Sequence, residues 1–324
     1  MRETRHVVLV TYGEPPTPAF VDQLVYSWRI LVGLTRTVAP IPRPVLPVIA
    51  LSRARGRRAS WREHDYLSPL EPVTERQARQ MRETLVAADP AVDWQVQVAY
   101  EFRQPLLAEV LAAIPHDEPV SVVPMYAADS AFTHALSRTT AAAHQRTSGR
   151  TRPVHVAGAL DAETLAELSA AHVLDETPAG EWRGPDVALV LAAHGTVLDP
   201  PTPIDTGLAA TETLRRAIAS RLAPQFGTVV NGWLNHTRGG RWTDPPIEEA
   251  LAHVVDGGFT RIVYYPYGFL ADNAESELEG RVALQALSGV ESLHLPCLNE
   301  SAALVEALAR QVRDCYPRSS APAA

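Results

Sequence analysis

The chain has 324 residues, 46% of them hydrophobic, enough to fill one large α/β unit or two domains of ordinary size and in keeping with a soluble enzyme. A formal net charge of −8 speaks against broad nucleic-acid binding, which needs a basic face for phosphates, so a small-molecule partner is expected. All 29 Lys+Arg positions are arginine, and the missing lysine excludes a Walker P-loop, a Schiff-base enzyme and a pyridoxal-phosphate enzyme.

No apolar run nears the roughly eighteen residues that span a bilayer, and Met1-Arg2-Glu3-Thr4-Arg5 leads into a short strand rather than a signal core. The cytoplasm is therefore the expected location, with membrane contact peripheral at most. Cys297 and Cys315 are too few for a disulfide framework or for the four thiolates of an iron–sulfur cluster, and neither is expected.

Apolar, β-branched runs read as short buried strands at Val7–Val10, Trp94–Val98, Val120–Val123, Pro153–Val156, Val187–Leu191, Thr228–Val230, Arg261–Tyr265 and Ser292–Leu295. Between them, amphipathic periodicity predicts helices over Thr74–Ala88, Pro105–Ile114, Ala162–Val173, Thr206–Ala223, Ile247–Val255 and Ala302–Asp314. Such alternation implies parallel sheets flanked by helices. One stretch stands apart. From Val32 to Ser60, Pro40, Pro42, Pro44 and Pro47 are expected to break any regular element, and Arg53, Arg55, Arg57 and Arg58 follow, as in a surface insertion or lid. The run Arg53 to Arg62 is read first as solvated, with contact to a ligand's carboxylates or to an anionic membrane surface as the alternative.

The order also repeats. Trp94–Tyr126 runs strand, proline-led helix, strand and Pro124-Met125-Tyr126, while Val229–Tyr267 runs strand, proline-led helix, strand and Pro266-Tyr267-Gly268. The expected fold is α/β with two similar Rossmann-like halves, residues 1–175 with a lid over 32–62, and residues 176–316, followed by a tail over 317–324. They meet near Pro178-Ala179-Gly180, with the ligand cleft between them.

Two strand-end motifs carry the chemistry. Leu191-Ala192-Ala193-His194-Gly195-Thr196 puts an imidazole at the carboxyl edge of a sheet, where ligands of open α/β sheets bind, and Gly195 permits the tight turn that leaves it uncovered. Neutral imidazole there accepts a proton near physiological pH. Pro266-Tyr267-Gly268-Phe269-Leu270-Ala271-Asp272-Asn273-Ala274-Glu275 ends in a segment expected to enter a helix capped by Asp272. Glu279, four residues on, shares a face with Glu275, and two such carboxylates can pass a divalent cation or protons to an imidazole.

These motifs resemble those of the ferrochelatases, which insert ferrous iron into a porphyrin. Ala193-His194-Gly195 is similar to the family's catalytic histidine motif, and Gly268-Phe269-Leu270-Ala271-Asp272-Asn273-Ala274-Glu275 to its glutamate motif. Further landmarks fall in the family's order: Leu9-Val10-Thr11-Tyr12-Gly13-Glu14-Pro15, Ser68-Pro69-Leu70, Pro124-Met125-Tyr126, Trp242 with Pro245, and Leu298-Asn299-Glu300-Ser301. Departures occur at Tyr66-Leu67, where a glycine pair is usual, at Val197, a usual proline, and at Asn273, Glu277 and Leu278.

The resemblance implies a metal chelatase of heme biosynthesis, with Fe2+ as its substrate metal and no prosthetic group. His194 and Glu275 would be catalytic and, with Glu279, would handle the metal. Tyr12, as in the coproporphyrin-using branch of bacteria, would lie beside the metal on the face opposite the histidine. Arg29, Arg36, Ser68 and Tyr126 would contact the porphyrin, which is coproporphyrin III or protoporphyrin IX, with Tyr12 tilting the choice to the former. A chelatase loading cobalt or nickel into a sirohydrochlorin-type ring, and a porphyrin or heme carrier without turnover, are the alternatives.

Overall fold

The computed structural model describes residues 2–34, 42–235 and 240–316. Each half is built on a four-stranded parallel sheet. The first holds β1 (Thr4–Thr11), β2 (Asp93–Tyr100), β3 (Val120–Pro124) and β4 (Val154–Val156) in the order β2-β1-β3-β4. The second holds β5 (Gly184–His194), β6 (Phe226–Leu234), β7 (Arg261–Tyr265) and β8 (Glu291–His294) in the matching order β6-β5-β7-β8. All eight expected strands are present. Central strands of parallel sheets are covered on both faces, which is why Val7–Val10 and Val187–Ala192 are unbroken apolar runs with no exposed surface. Each such aliphatic side chain contributes roughly 1.5–3 kcal/mol by leaving water.

The helices are α1 (Phe20–Leu34), α2 (Leu46–Glu63), α3 (Leu70–Ala88), α4 (Leu107–Ala113), α5 (His134–Thr147), α6 (Ala162–Glu176), α7 (Leu208–Leu222), α8 (Ile247–Asp256), α9 (Gly280–Gln285) and α10 (Ala302–Asp314). The expectation that prolines break regular structure after Val32 is corrected by α2, an eighteen-residue helix. Pro44 lies in the short 3-10 turn Arg43–Val45 and Pro47 in the first turn of α2, where a missing N–H costs no helical bond. Leu46 and Ala50 of α2 then pack on Leu31 of α1.

One core joins the halves. Leu9, Met81, Leu85 and Trp94 of the first half are continuous with Leu189, Leu191, Ile218 and Tyr265 of the second. Helix α10 packs on α3, and the Ser121 hydroxyl on β3 donates to the Tyr316 hydroxyl at 2.8 Å, so the segment after α10 closes back on the first half.

The repeat is specific in register. Tyr100 N–H donates to Pro105 O at 2.9 Å, and Trp233 N–H donates to Pro245 O at 3.0 Å, so Tyr100 and Trp233 are equivalent. Thr11 pairs with Tyr100, and Ala193 pairs with Trp233. The next residues, Tyr12 and His194, therefore occupy the same place in the two halves, and each is followed by glycine. Gly13 is forced there by a φ of +73° and by Tyr100, whose Cβ would lie 2.8 Å from an added methyl carbon.

Candidate active site

His194 ends β5 after the buried Ala192 and Ala193, and 52% of its side-chain surface is open. The segment after β7 is laid onto this strand end by Gly268, where a Cβ would meet Ala193 Cβ at 2.7 Å. It then enters a single π-helical turn, Ala274–Glu279, rather than the α-helix expected. The cap is Asn273, not Asp272: Asn273 Oδ1 accepts from the N–H groups of Glu275 and Ser276 at 2.9 and 3.2 Å. Asp272 instead accepts from Cys297 N–H and Asn299 Nδ2, tying the loop to the segment after β8.

This places Glu275 Oε2 2.6 Å from His194 Nδ1. Asn235 Nδ2 donates to the other carboxylate oxygen, Oε1, at 2.8 Å. With Glu275 ionised, Nδ1 carries the proton and Nε2 remains a proton acceptor. Burial lowers the His194 pKa, but the Glu275 charge and hydrogen bond outweigh it and the net shift is upward. Burial raises Glu275, and the His194 partner outweighs that, leaving its carboxyl below the usual range. Glu279 is exposed at this strand end, and partial desolvation together with the Glu275 charge pushes it up to about 8.

In the first half, the Tyr12 ring stacks on Phe102 with centroids 5.6 Å apart and leans on Tyr126 at 4.8 Å. Its hydroxyl donates to Phe132 O at 2.7 Å, and its pKa is raised first by burial and then by the Glu275 charge. The Tyr126 hydroxyl is buried with no hydrogen-bond partner among the described residues. Arg29 reaches the edge of this aromatic stack, Nη1 donating to Phe102 O at 3.5 Å. Glu101, below the stack, accepts from Ser137 Oγ at 2.7 Å, and burial pushes it up to about 6.

Ser68 does not stand free at a rim. Its hydroxyl donates to Glu14 and accepts from Leu70 N–H at 3.2 Å. Glu14 also accepts from Ala274 N–H, at 3.2 Å to Oε1 and 3.1 Å to Oε2, and burial pushes its carboxyl up to about 7. Arg36 lies outside the described residues. Thus His194 and Glu275 are joined at one strand end with Glu279 near enough to act on both electrostatically, and Tyr12, Tyr126 and Arg29 gather around Phe102 in the first half.

Asn235 and Glu14 belong to the site with no role expected of them, and so do Arg53 and Arg57, for which a solvated face is the first expectation. Once α2 is a helix, Arg53 and Arg57 are one turn apart, and the Arg57 guanidinium lies 4.7 Å from the Tyr26 ring centroid. Both influence Glu275 electrostatically, so these two arginines are not merely solvated. The signal available was their spacing of four. For Asn235 it was a polar residue ending β6, held at φ +54°, a conformation asparagine tolerates. The departures at Tyr66 and Leu278 touch, forming one packed cluster with Trp61.

A family model described as Ferrochelatase matches residues 4–315. The chain belongs to the ferrochelatase family. It is 24% identical to the ferrochelatase of Caulobacter vibrioides over 97% of this chain and 91% of that protein. It is 29% identical to that of Azoarcus over 95% of this chain and 86% of the relative. Among solved structures, a multi-domain Deinococcus radiodurans protein described as structurally similar to chelatases matches with a TM-score of 0.55 at 19% identity, covering 97% of this chain. This chain spans 55% of that protein, and the likeness concerns the fold alone.

As a ferrochelatase-family protein the chain is a metal chelatase, a lyase. Among the described residues no three His, Cys, Asp or Glu side chains are gathered to hold a metal ion. No helix among them is long and apolar enough to cross a membrane.

Proposed function

We propose that this chelatase inserts Fe2+ into a porphyrin in heme biosynthesis, with coproporphyrin III as the preferred substrate. The observation that carries this reading is the hydrogen-bonded His194–Glu275 pair at the end of β5. Tyr12 supports it from the equivalent end of β1, near enough to feel the Glu275 charge. The aromatic wall of Tyr12, Phe102 and Tyr126 suits the planar macrocycle, and Arg29, Arg53 and Arg57 suit its carboxylates.

Two pyrrole N–H protons leave as the metal enters. His194 Nε2 accepts them one after the other as general base, releasing the first to solvent from its half-open ring before taking the second, while Glu275, held by Asn235, stabilises the imidazolium that forms each time. Glu279, exposed beside the pair with its pKa raised by partial desolvation and the Glu275 charge, is the next station outward. Iron is a passing substrate that His194, Glu275 and Glu279 hand on. Tyr12 faces the macrocycle from the other side once its hydroxyl leaves the Phe132 carbonyl.

Substrate choice is tested by measuring kcat/KM for coproporphyrin III and protoporphyrin IX with Fe2+ under anaerobic conditions. A preference for coproporphyrin III of at least about tenfold, or 1.4 kcal/mol, is expected. Equal rates, or a preference for protoporphyrin IX, would contradict the assignment of the branch.

A further inference from the structure

The π-helical turn that carries Glu275 begins with three amide groups that no preceding helical turn can satisfy. Asn273, from the turn's own leader, takes two of them, the N–H groups of Glu275 and Ser276. The third, Ala274 N–H, is satisfied from the other half of the molecule by both oxygens of Glu14. Glu14 stands two residues after Tyr12 in the tight turn that Gly13 permits, and Ala274 immediately precedes Glu275. Ser68, leading into α3, donates its hydroxyl to the same carboxylate.

We propose that Glu14 is a positioning residue: it ties the turn after β1 to the start of the π-helical turn and so sets the spacing between Tyr12 and the His194–Glu275 pair. The contact joins residues 260 apart in sequence and is a polar tie of the turn's first amide to the first half, beside the apolar packing of Trp61 and Tyr66 with Leu278 and Ala274. In the porphyrin reading, on which the catalytic part of the inference rests, that spacing is the slot in which the macrocycle lies. A slot wider by a fraction of an ångström leaves the pyrrole proton out of line with His194 Nε2, and misplacement of this kind slows chemistry far more than binding.

The test compares Glu14→Ala with Glu14→Gln in the full chain. Glutamine keeps an oxygen for Ala274 N–H and an amide for Ser68 Oγ, whereas alanine keeps neither. Amide hydrogen exchange on the substrate-free protein should rise over residues 274–279 in Glu14→Ala and stay near the parent level in Glu14→Gln. Ser68→Ala, which weakens the tie from the other side, should raise exchange in the same segment by less.

With coproporphyrin III and Fe2+, Glu14→Ala should lower kcat on the order of tenfold or more with little change in porphyrin KM, and Glu14→Gln should restore most of the rate. Unchanged exchange over 274–279 in Glu14→Ala would overturn the proposal. So would a Glu14→Gln variant as slow as Glu14→Ala, which would make the carboxylate a chemical participant instead. If the parent protein inserts no iron, the porphyrin reading fails, and the exchange comparison alone decides the tie.

Discussion

The Glu275 carboxylate governs what His194 can do at a given pH. Its negative charge favours imidazolium, so the base form of His194 prevails only above a pKa raised from the usual histidine value. Porphyrin kcat/KM should therefore fall as pH drops through that raised pKa. Glu275→Gln removes the charge and leaves burial, which acts in the opposite direction, so the acid limb should move to lower pH while kcat falls by about ten- to a hundredfold. A pH–rate profile of the two proteins checks this, and a limb that stays in place in the variant would show that His194 is not the titrating base. His194 and Glu275 were legible in the sequence because His194 ends an apolar strand directly before a glycine and Glu275 follows an apolar strand and Gly268. Asn235 and Glu14 were not, because their roles arise from hydrogen bonds to segments 40 and 260 residues away.

Among the elements, the loop from β7 to the π-helical turn lies directly on β5, where Gly268 N–H donates to Ala192 O at 3.3 Å. Gly268→Ala would drive a methyl group into Ala193, at 2.7 Å from its Cβ, next to His194. The expected cost is about 1–3 kcal/mol of stability, read by urea denaturation, together with a fall in kcat as Glu275 shifts from the imidazole. Parent stability and rate would show that the approach is not tight. On α2, replacing Arg53 and Arg57 together by glutamine should raise the porphyrin KM roughly three- to tenfold, with the difference shrinking at high salt. An unchanged KM at low salt would remove these arginines from the substrate's path.

Strands were easy to read because burial on both faces demands continuous apolar residues. Helix α2 was obscured by prolines that act as start signals, and α5 by the polar residues His134 and Ser137 that it buries. Helix α1, rich in valine and aromatic residues, carries weak helical preference and gains its stability by packing on α2.

At the scale of the whole molecule, one core runs through both halves and α10 closes on the first, so they should unfold together. Leu308→Ala, in the buried face of α10, should cost about 2–5 kcal/mol and leave a single urea transition. Two separated transitions would contradict a shared core. The repeat was visible as a matching order of elements, but only the strand register reveals that Tyr12 and His194 are equivalent. That equivalence puts one side chain from each half at the ends of the two central strands.

Metal insertion by the His194–Glu275 pair is the step on which every other role in the site depends. The decisive measurement is an anaerobic absorbance assay of Fe2+ insertion into coproporphyrin III by the parent protein and by His194→Ala. Parent turnover that falls by about 10²–10⁴-fold in the variant, with porphyrin binding retained, is the predicted result. Porphyrin binding without insertion by the parent, or equal insertion by both proteins, would contradict it.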